Sequence, residues 1–353
     1  MFWEKEGKLI YSYDGETVCI EAWGKDALRV RATKNRSFPG RDWALEAKDA
    51  HAGEVEIFED PSAKGGAFAN MYEGTDTSYG KITNGKLHAV IDSGSVITFY
   101  HEDGRVLLKE HFRRLRDEES MPLNIMGREY SNGVGDNFRI VARFVARKGE
   151  KIFGMGQYQQ HELDLKGCML ELAQRNSQVS VPFYLSSIGY GFLWNNPGVG
   201  QVMFANNGTE WVTESGKEID YLVIAGDTPA EIEETYMGLV GKAPMMPEYG
   251  LGFWQCKLRY YNQEQVLNVA REYKKRGIPL DVFVIDYYHW PRCGDYRFDE
   301  EYFPDPKAMI DELHEMGIET MVSIWPQIDW RSENYEEMKQ QGLLVKSNAG
   351  VDV

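Results

Sequence analysis

The chain has 353 residues, with 42% hydrophobic and 27% charged side chains, a composition typical of a soluble globular protein with a large core. This length exceeds one ordinary domain, so two domains are expected. Its 39 basic and 55 acidic residues give a net charge of −16, and no basic stripe interrupts them, which argues against a nucleic-acid partner.

Cysteine spacing and hydropathy exclude further classes. Cys19, Cys168, Cys256 and Cys293 lie far apart without a Cys-x-x-Cys pair, so neither a zinc site nor a disulfide framework is predicted, and no cofactor is expected. No run approaches 18 apolar residues and the N-terminus carries no apolar segment. These features predict no signal peptide and no membrane partner, and therefore a cytoplasmic protein.

Residues 1–245 are predicted to form an antiparallel β-sandwich, because short apolar strands alternate with turn signals about every ten residues. The hairpin signals are Asp14-Gly15 and Asn84-Gly85. A glycine-rich stretch, 61–80, is predicted to be a loop. The predicted strands are Lys8–Tyr13, Thr17–Ala22, Ala27–Thr33, 87–91, Val96–Tyr100 and Val106–Leu108.

Residues 246–353 show an alternating strand–helix pattern, typical of a (β/α)₈ barrel or a doubly wound sheet. The predicted strands are Tyr249–Cys256, 280–286 and 318–325. Asn262 and Asp305 are predicted helix caps, Gly277 and Gly317 are predicted helix ends, and a third helix is expected from Ser332 to Gln341.

Asp286 is the first candidate functional residue. It follows the apolar run Val282-Phe-Val-Ile285, which reads as a buried parallel strand. Chemistry in barrels and open α/β sheets lies where such strands end. The alternatives for this carboxylate are a helix cap or a buried ion pair.

Six motifs in order identify a family resemblance. They are Tyr261-Asn-Gln-Glu-Gln-Val266, Arg276-Gly-Ile-Pro-Leu-Asp281, Ile285-Asp-Tyr-Tyr-His-Trp290, Phe298-Asp-Glu-Glu-Tyr-Phe-Pro-Asp-Pro306, Leu313-His-Glu-Met-Gly317 and Ile324-Trp-Pro326. The segment 249–327 thereby resembles glycoside hydrolase family 31, the retaining α-glucosidases and α-xylosidases. Upstream, Phe153-Gly-Met-Gly-Gln157, Val181–Ser187 and Gly189–Asn196 resemble the N-terminal sandwich of that family. The Gly-Gln turn and Ile-Trp-Pro are most similar to its α-xylosidase-like branch.

The resemblance implies a galactose mutarotase-like β-sandwich, 1–245, followed by the first three or so βα units of a (β/α)₈ barrel, 246–353. A whole barrel needs about 250 residues. The family's nucleophile and acid/base aspartates are therefore expected beyond residue 353, and no catalytic residue is assigned within the chain. Asp286 corresponds to the aspartate that binds a sugar hydroxyl in the −1 subsite.

The resemblance also suggests substrate-binding aromatic residues. Trp325 would stack on a sugar face, and Tyr287, His289 and Trp290 would wall the subsite, with ordinary packing as the alternative for each. Trp254 and Lys257, after the first strand, are weaker candidates that would otherwise fill the barrel. His289 has no spaced partner for a metal. Asp299 and Asp305 are expected to order a loop and cap a helix, and the loop Gln174-Arg-Asn176 to reach the site.

Three functions remain open from sequence. The favoured one is a retaining exo-α-glycosidase that removes terminal α-linked xylose or glucose from oligosaccharides, with this chain an inactive N-terminal fragment. The second is a non-catalytic carbohydrate-binding module, and the third a half-enzyme completed by another polypeptide. An oligosaccharide is the expected partner, and a homo-oligomer is left open.

Overall fold

The computed structural model describes residues 1–59, 78–111, 113–115, 123–347 and 350–351. It divides the chain into two compact units, Met1–Ala243 and Pro244–Val353. Most of the predicted glycine-rich loop, 61–77, lies outside the described residues, whereas 78–80 belong to a strand and not to a loop. Among the described residues, no helix has the length and apolar character needed to cross a membrane.

Antiparallel strands dominate the described part of the first unit. In chain order they are β1 Phe2–Lys5, β2 Lys8–Tyr13, β3 Glu16–Trp23, β4 Ala27–Thr33, β5 Ala50–His51, β6 Glu54–Glu59, β7 Ser78–Asn84, β8 Leu87–Asp92, β9 Ile97–His101, β10 Val106–Lys109, β11 Arg113–Leu115, β12 Leu123–Ile125, β13 Arg128–Asn132, β14 Phe138–Phe144, β15 Ile152–Gln157, β16 Met169–Leu172, β17 Val179–Ser186, β18 Tyr190–Trp194, β19 Gly200–Ala205, β20 Gly208–Gly216 and β21 Ile219–Ala225. One α-helix, α1 Pro229–Val240, follows them.

Three large sheets arise from these strands within the described ranges. The first has the order β1-β2-β3-β4-β21-β18-β17-β15, with β5 paired to β3; the others run β10-β9-β8-β7-β6 and β13-β14-β20-β19-β16. The predicted Asp14-Gly15 hairpin is confirmed: Tyr13 pairs with Glu16, and both turn residues have positive φ, as a type I′ turn requires.

A single apolar core joins the three sheets into a sandwich. In β21, Tyr221 and Val223 point into that core, while Leu222 and Ile224 point to the opposite face. That opposite face is covered by α1, whose Ile232 belongs to the same apolar cluster as Leu222 and Ile224. The period-two alternation therefore buries both faces of β21 completely.

The second unit contains the parallel strands β22 Trp254–Gln255, β23 Val282–Ile285 and β24 Glu319–Val322, and the helices α2 Gln263–Lys275, α3 Pro306–Glu315 and α4 Tyr335–Gln340. β23 lies between β22 and β24. Phe283 and Ile285 of β23 pack against Val266 of α2 and Leu313 of α3 in one cluster.

The predicted helix signals of this unit are confirmed. The Asn262 side chain accepts a hydrogen bond from the Gln265 N–H at 2.9 Å, and the Asp305 side chain accepts one from the Ala308 N–H at 2.9 Å. Gly277 and Gly317 end α2 and α3 with φ of +68° each. The left-handed backbone lets the N–H of the next residue bond back into the last helical turn.

Several predicted boundaries are wrong, for identifiable reasons. In place of the predicted strand Tyr249–Cys256 the chain forms a 3₁₀ helix over Glu248–Leu251 and a two-residue strand, Trp254–Gln255. Strand pairing begins late because the Phe253 N–H donates to the Asp281 carboxylate at 2.9 Å. A Cβ at Gly252 would lie 2.2 Å from that carboxylate. The third helix begins at Tyr335 and not at Ser332, since the Glu333 N–H donates to the Asp295 carboxylate at 3.0 Å and the Asn334 side chain donates to the Gly294 carbonyl at 2.7 Å, bonds that hold these residues in a turn.

Candidate active site at the carboxyl edge of the parallel sheet

The carboxyl ends of β22 and β23 bring two polar side chains together. Trp254 pairs with Val282 and Gln255 with Phe283, so the register places Cys256 level with Val284, two residues before Asp286 and on the same face of the sheet. The Cys256 Sγ lies 3.9 Å from the Asp286 Oδ2. Burial, and then the neighbouring Asp286 carboxylate, raise the pKa of the Cys256 thiol, which therefore stays protonated and can donate to the carboxylate.

The Asp286 carboxylate is half-buried and has no ion pair with any described residue; the Cys256 thiol is its one described side-chain partner. It caps no described helix either. Both alternatives considered for Asp286 are therefore absent from the described part of the chain. An ionised carboxylate that is partly desolvated retains lone pairs for a ligand that donates hydrogen bonds.

His289 holds the turn that follows Asp286. Its Nδ1 lies 3.0 Å from the Asp286 carbonyl oxygen, and because that oxygen can only accept, Nδ1 carries the proton. Burial lowers the pKa of His289, so the imidazole is neutral near pH 7. Tyr288, in the same turn, has φ of +69°, an unfavourable value for a bulky residue.

Tyr287, Trp290 and Trp325 form an aromatic cluster beside Asp286. The Tyr287 ring centroid lies 4.4 Å from that of Trp325 and 5.4 Å from that of Trp290. Trp325 is 40% exposed and Trp290 only 9%. Trp325 therefore offers an open indole face, whereas the burial of Trp290 favours packing; contact of either ring with a substrate stays a prediction.

A small cleft of about 170 Å³ opens next to this cluster. Its walls include His289, Trp290, Phe298, Val322 and Trp325. Asp299, predicted to order the adjoining loop, does so: its N–H donates to the His289 carbonyl at 2.8 Å, and its side chain accepts from the Glu301 N–H at 3.0 Å.

The described contacts of the two weaker candidates, Trp254 and Lys257, are with groups other than the Asp286 carboxylate. Trp254 is 41% exposed and its Nε1 donates to the Gly250 carbonyl at 3.2 Å. The Lys257 Nζ lies 5.2 Å above the Tyr260 ring, so its charge is directed to that ring. Their roles in substrate binding remain predictions.

The loop Gln174-Arg-Asn176 lies in the first unit, where Gln174 makes two hydrogen bonds with the backbone of Ser180, at 2.9 and 3.0 Å. Arg175 pairs with Glu171 at 2.5 Å. The predicted approach of this loop to the site also stays a prediction.

Sequence reasoning overlooked two residues near Asp286. Cys256 has the same alternation phase as Trp254, so it could have been found by extending the period-two pattern beyond the first strand. The Arg259 guanidinium lies 4.7 Å from the Tyr261 ring centroid and 4.6 Å from that of Tyr288, and no local sequence signal predicts this arrangement.

Comparison with known proteins identifies the family. The profile of the "Glycosyl hydrolase 31 N-terminal galactose mutarotase-like domain" matches residues 17–202, and that of the "Glycosyl hydrolases family 31 TIM-barrel domain" matches residues 243–353. The chain belongs to glycoside hydrolase family 31. The predicted fold class is thereby confirmed: a mutarotase-like sandwich followed by the start of a family 31 barrel.

Individual relatives in family 31 agree with this result. The chain is 42% identical over 361 residues to the "uncharacterized family 31 glucosidase ORF2" of Pseudescherichia vulneris, covering 99% of this chain and 65% of that protein. It is 36% identical over 219 residues to an α-xylosidase of Saccharolobus solfataricus, covering 59% of this chain and 30% of that protein.

Among solved structures, a family 31 α-xylosidase from a soil metagenome, complexed with xylose, superposes with a TM-score of 0.84 at 46% identity. The match covers all of this chain and 51% of that one. The chain thus spans about two thirds of the length of the Pseudescherichia vulneris protein and about half of the soil-metagenome α-xylosidase.

Proposed function

We propose that the protein acts as a retaining exo-α-glycosidase that removes terminal α-linked xylose or glucose from oligosaccharides. The observation that carries the proposal is the half-buried Asp286 carboxylate at the carboxyl edge of the parallel sheet, which has no ion pair among the described residues. Support comes from relatives named as α-xylosidases and as a family 31 glucosidase.

In this proposal Asp286 binds and orients the sugar but performs no bond cleavage. Its two oxygens accept hydrogen bonds from sugar hydroxyls, and the charge strengthens each bond. The exposed face of Trp325 stacks against the ring. His289 acts as a positioning residue, since it fixes the backbone that carries Asp286.

The catalytic carboxylates are proposed to come from a part of the protein outside residues 1–353. Retaining hydrolysis uses two carboxyl groups about 5 Å apart, one as nucleophile and one as acid/base. The residues directly after β22 are Cys256-Lys257 and those after β24 are Ser323-Ile-Trp325, none of them acidic. Asp286 therefore has no second carboxylate directly after either neighbouring strand.

The test compares the full-length protein with its Asp286→Ala variant on p-nitrophenyl α-xyloside and α-glucoside. We expect kcat/KM to fall by about 100-fold or more, corresponding to about 3 kcal/mol of lost transition-state stabilisation. The ratio of rates on the two substrates identifies the preferred sugar. Unchanged kcat/KM in the variant would refute the role of Asp286.

The isolated chain 1–353 provides the second arm of the test. It is expected to hydrolyse neither substrate, because binding the sugar without the two catalytic carboxylates does not cleave it. Turnover by the purified chain, free of host glycosidases, would contradict the proposed division of labour. Activity restored by adding a separately expressed C-terminal polypeptide would favour the half-enzyme.

A further inference from the structure

Trp43 of the sandwich is exposed and held in an unfavourable backbone conformation. Its φ is +55°, in the left-handed region that disfavours any residue with a Cβ, and its side chain is 46% exposed. Such a conformation persists only where the surroundings enforce it, and it is found more often at ligand sites than elsewhere.

Buried side chains fix the backbone on both sides of Trp43. The Arg29 Nη1 donates to the Asp42 carboxylate at 2.7 Å, and the Asn195 Nδ2 donates to the Asp42 carbonyl at 3.0 Å. The Asn195 Oδ1 accepts from the Ala44 N–H at 3.2 Å. Arg29 and Asn195 are 0% and 3% exposed, so this loop is anchored in the sandwich and presents Trp43 in a fixed position.

A cleft of about 470 Å³ opens beside the Trp43 ring, and we call it the Trp43 cleft. Its walls include Arg41, Trp43, Asn196, Thr213, Ser215 and Glu218. This volume lies within the range of about 300–1,000 Å³ typical of small-molecule sites. All of these residues belong to the first unit, and none of them belongs to the proposed Asp286 site.

Uncharged groups in the Trp43 cleft have hydrogen-bonding capacity to spare. The Asn196 Nδ2 donates to the Asp220 carbonyl at 2.7 Å, which leaves its Oδ1 without a partner among the described residues. The Ser215 hydroxyl likewise has no partner among the described residues. Thr213, by contrast, is only 1% exposed, and its hydroxyl accepts from the buried Trp194 indole N–H at 3.0 Å, so it is directed into the core and not toward a ligand.

Lys217 and Glu218, two charged residues that line the cleft, already have partners of opposite charge. Glu218 forms two hydrogen bonds with the Arg31 guanidinium, at 3.0 and 3.1 Å, and Lys217 pairs with Asp136 at 2.7 Å. Arg41 lies 5.4 Å from the Trp43 ring centroid. A phosphate or carboxylate ligand would have to compete with Glu218 for Arg31 and with Asp136 for Lys217, whereas a neutral polyhydroxylated ligand would leave both pairs intact.

We propose that the Trp43 cleft is a second carbohydrate-binding site, located in the sandwich and separate from Asp286. A pyranose presents an apolar C–H face and a rim of hydroxyls. The indole of Trp43 covers that face, and Asn196 and Ser215 exchange hydrogen bonds with the rim. Such a site would bind an oligosaccharide through a sugar residue other than the one that is hydrolysed.

Calorimetric titration of the full-length protein with xylose and with maltotriose tests this site. The titrations are done in the Asp286→Ala background, which removes the proposed −1 contact. Binding is expected to persist in that background and to weaken at least about tenfold on adding Trp43→Ala, which corresponds to about 1.4 kcal/mol. Trp43→Phe keeps an aromatic face and is expected to retain most of the affinity.

Two further variants keep the test decisive. Trp3→Ala removes another exposed indole of the sandwich, 37% exposed on β1, and is expected to leave binding unchanged. Ser215→Arg fills the cleft from an exposed hairpin position, so it should weaken binding without altering the Trp43 loop.

Three outcomes would overturn the site: equal affinity with and without Trp43→Ala, no binding of either sugar at about 10 mM, or loss of all binding in Asp286→Ala alone. A change of oligomeric state in Trp43→Ala, seen by sedimentation, would also refute it by assigning this surface to a protein contact. Because the readout is binding in the Asp286→Ala background, a failure of the proposed hydrolysis does not affect it.

Discussion

The sandwich and the parallel-sheet unit differ in how their buried and half-buried carboxylates are paired. In the sandwich, Arg29 and Asp220 are both 0% exposed and form two hydrogen bonds, at 3.0 and 2.7 Å, with Asn195 donating a third to Asp220 at 2.8 Å. Around β23, by contrast, the half-buried Asp286 meets only the Cys256 thiol among the described side chains. A fully paired buried charge indicates a structural role, whereas an unpaired one indicates a ligand.

The two units also differ in how their sheets are covered. β21 is buried along its whole length by the core on one face and α1 on the other. In the second unit, helices cover the face that carries Phe283, while Met321 and Trp325 remain 48% and 40% exposed. We therefore expect the sandwich to be the more stable unit, while the sheet of the second unit leaves part of its surface accessible near the carboxyl edge.

The largest effect on folding is expected from Asp220→Asn. The substitution removes the buried one of the two carboxylates that pair with Arg29 and leaves only the partly exposed Asp42, and breaking one side of a buried pair costs about 3–5 kcal/mol. Thermal unfolding should begin on the order of 10 °C lower. The matched control is Asp14→Asn, whose carboxylate lies 3.8 Å from Lys34 at the surface and should contribute less than about 1 kcal/mol. Equal melting temperatures of both variants and the wild type would show that the buried Arg29–Asp220 pair does not stabilise the sandwich.

Hydrogen exchange of the monomeric chain 1–353 is expected to separate the two units. The outer edges of β22 and β24 pair with no strand among the described residues, so their amides open more easily than those of β21. Amides of β24 should exchange at least about tenfold faster than those of β21, which corresponds to a difference of about 1.4 kcal/mol in opening free energy. Exchange as slow in β23 and β24 as in the sandwich, in a strictly monomeric sample, would contradict this expectation.

The smallest effect is expected from pH, through His289. Burial lowers the pKa of its imidazole below the ordinary value of about 6.5, so the unfolded chain takes up a proton before the folded chain does. Stability of the second unit should therefore decrease as pH falls through about 6.5. One pKa unit corresponds to only about 1.36 kcal/mol.

His289→Asn keeps a donor for the Asp286 carbonyl but cannot titrate, and it isolates this contribution. Comparing denaturant unfolding of the variant and wild type at pH 7.5 and 5.5 measures it. The same pH dependence in both proteins would show that His289 is not the responsible group.

Local signals allowed most of the fold to be predicted. The Asp14-Gly15 turn, the Asn262 and Asp305 caps and the Gly277 helix end depend on neighbouring residues, and the structure confirms them. The errors arose where distant groups intervene. The first parallel strand is short because the Phe253 N–H donates to the carboxylate of Asp281, which lies nearly thirty residues away in the sequence.

The candidate site was predictable only in part, for the same reason. Asp286 could be located because a carboxylate follows an apolar strand, and that pattern is local. Its neighbour Cys256 depends on the register between β22 and β23. The Trp43 cleft could not be predicted, because Arg41, Asn196 and Ser215 meet only after the sandwich has formed.

The most direct test of the contrast between paired and unpaired carboxylates measures kcat/KM and melting temperature together for Asp286→Asn and Asp220→Asn in the full-length protein. Asp286→Asn should lower kcat/KM by about 100-fold at an unchanged melting temperature, because the amide offers one acceptor and no charge. Asp220→Asn should lower the melting temperature while the protein that remains folded keeps its kcat/KM. Near-normal turnover of Asp286→Asn, or a melting temperature lowered as far as in Asp220→Asn, would show that Asp286 is a structural residue.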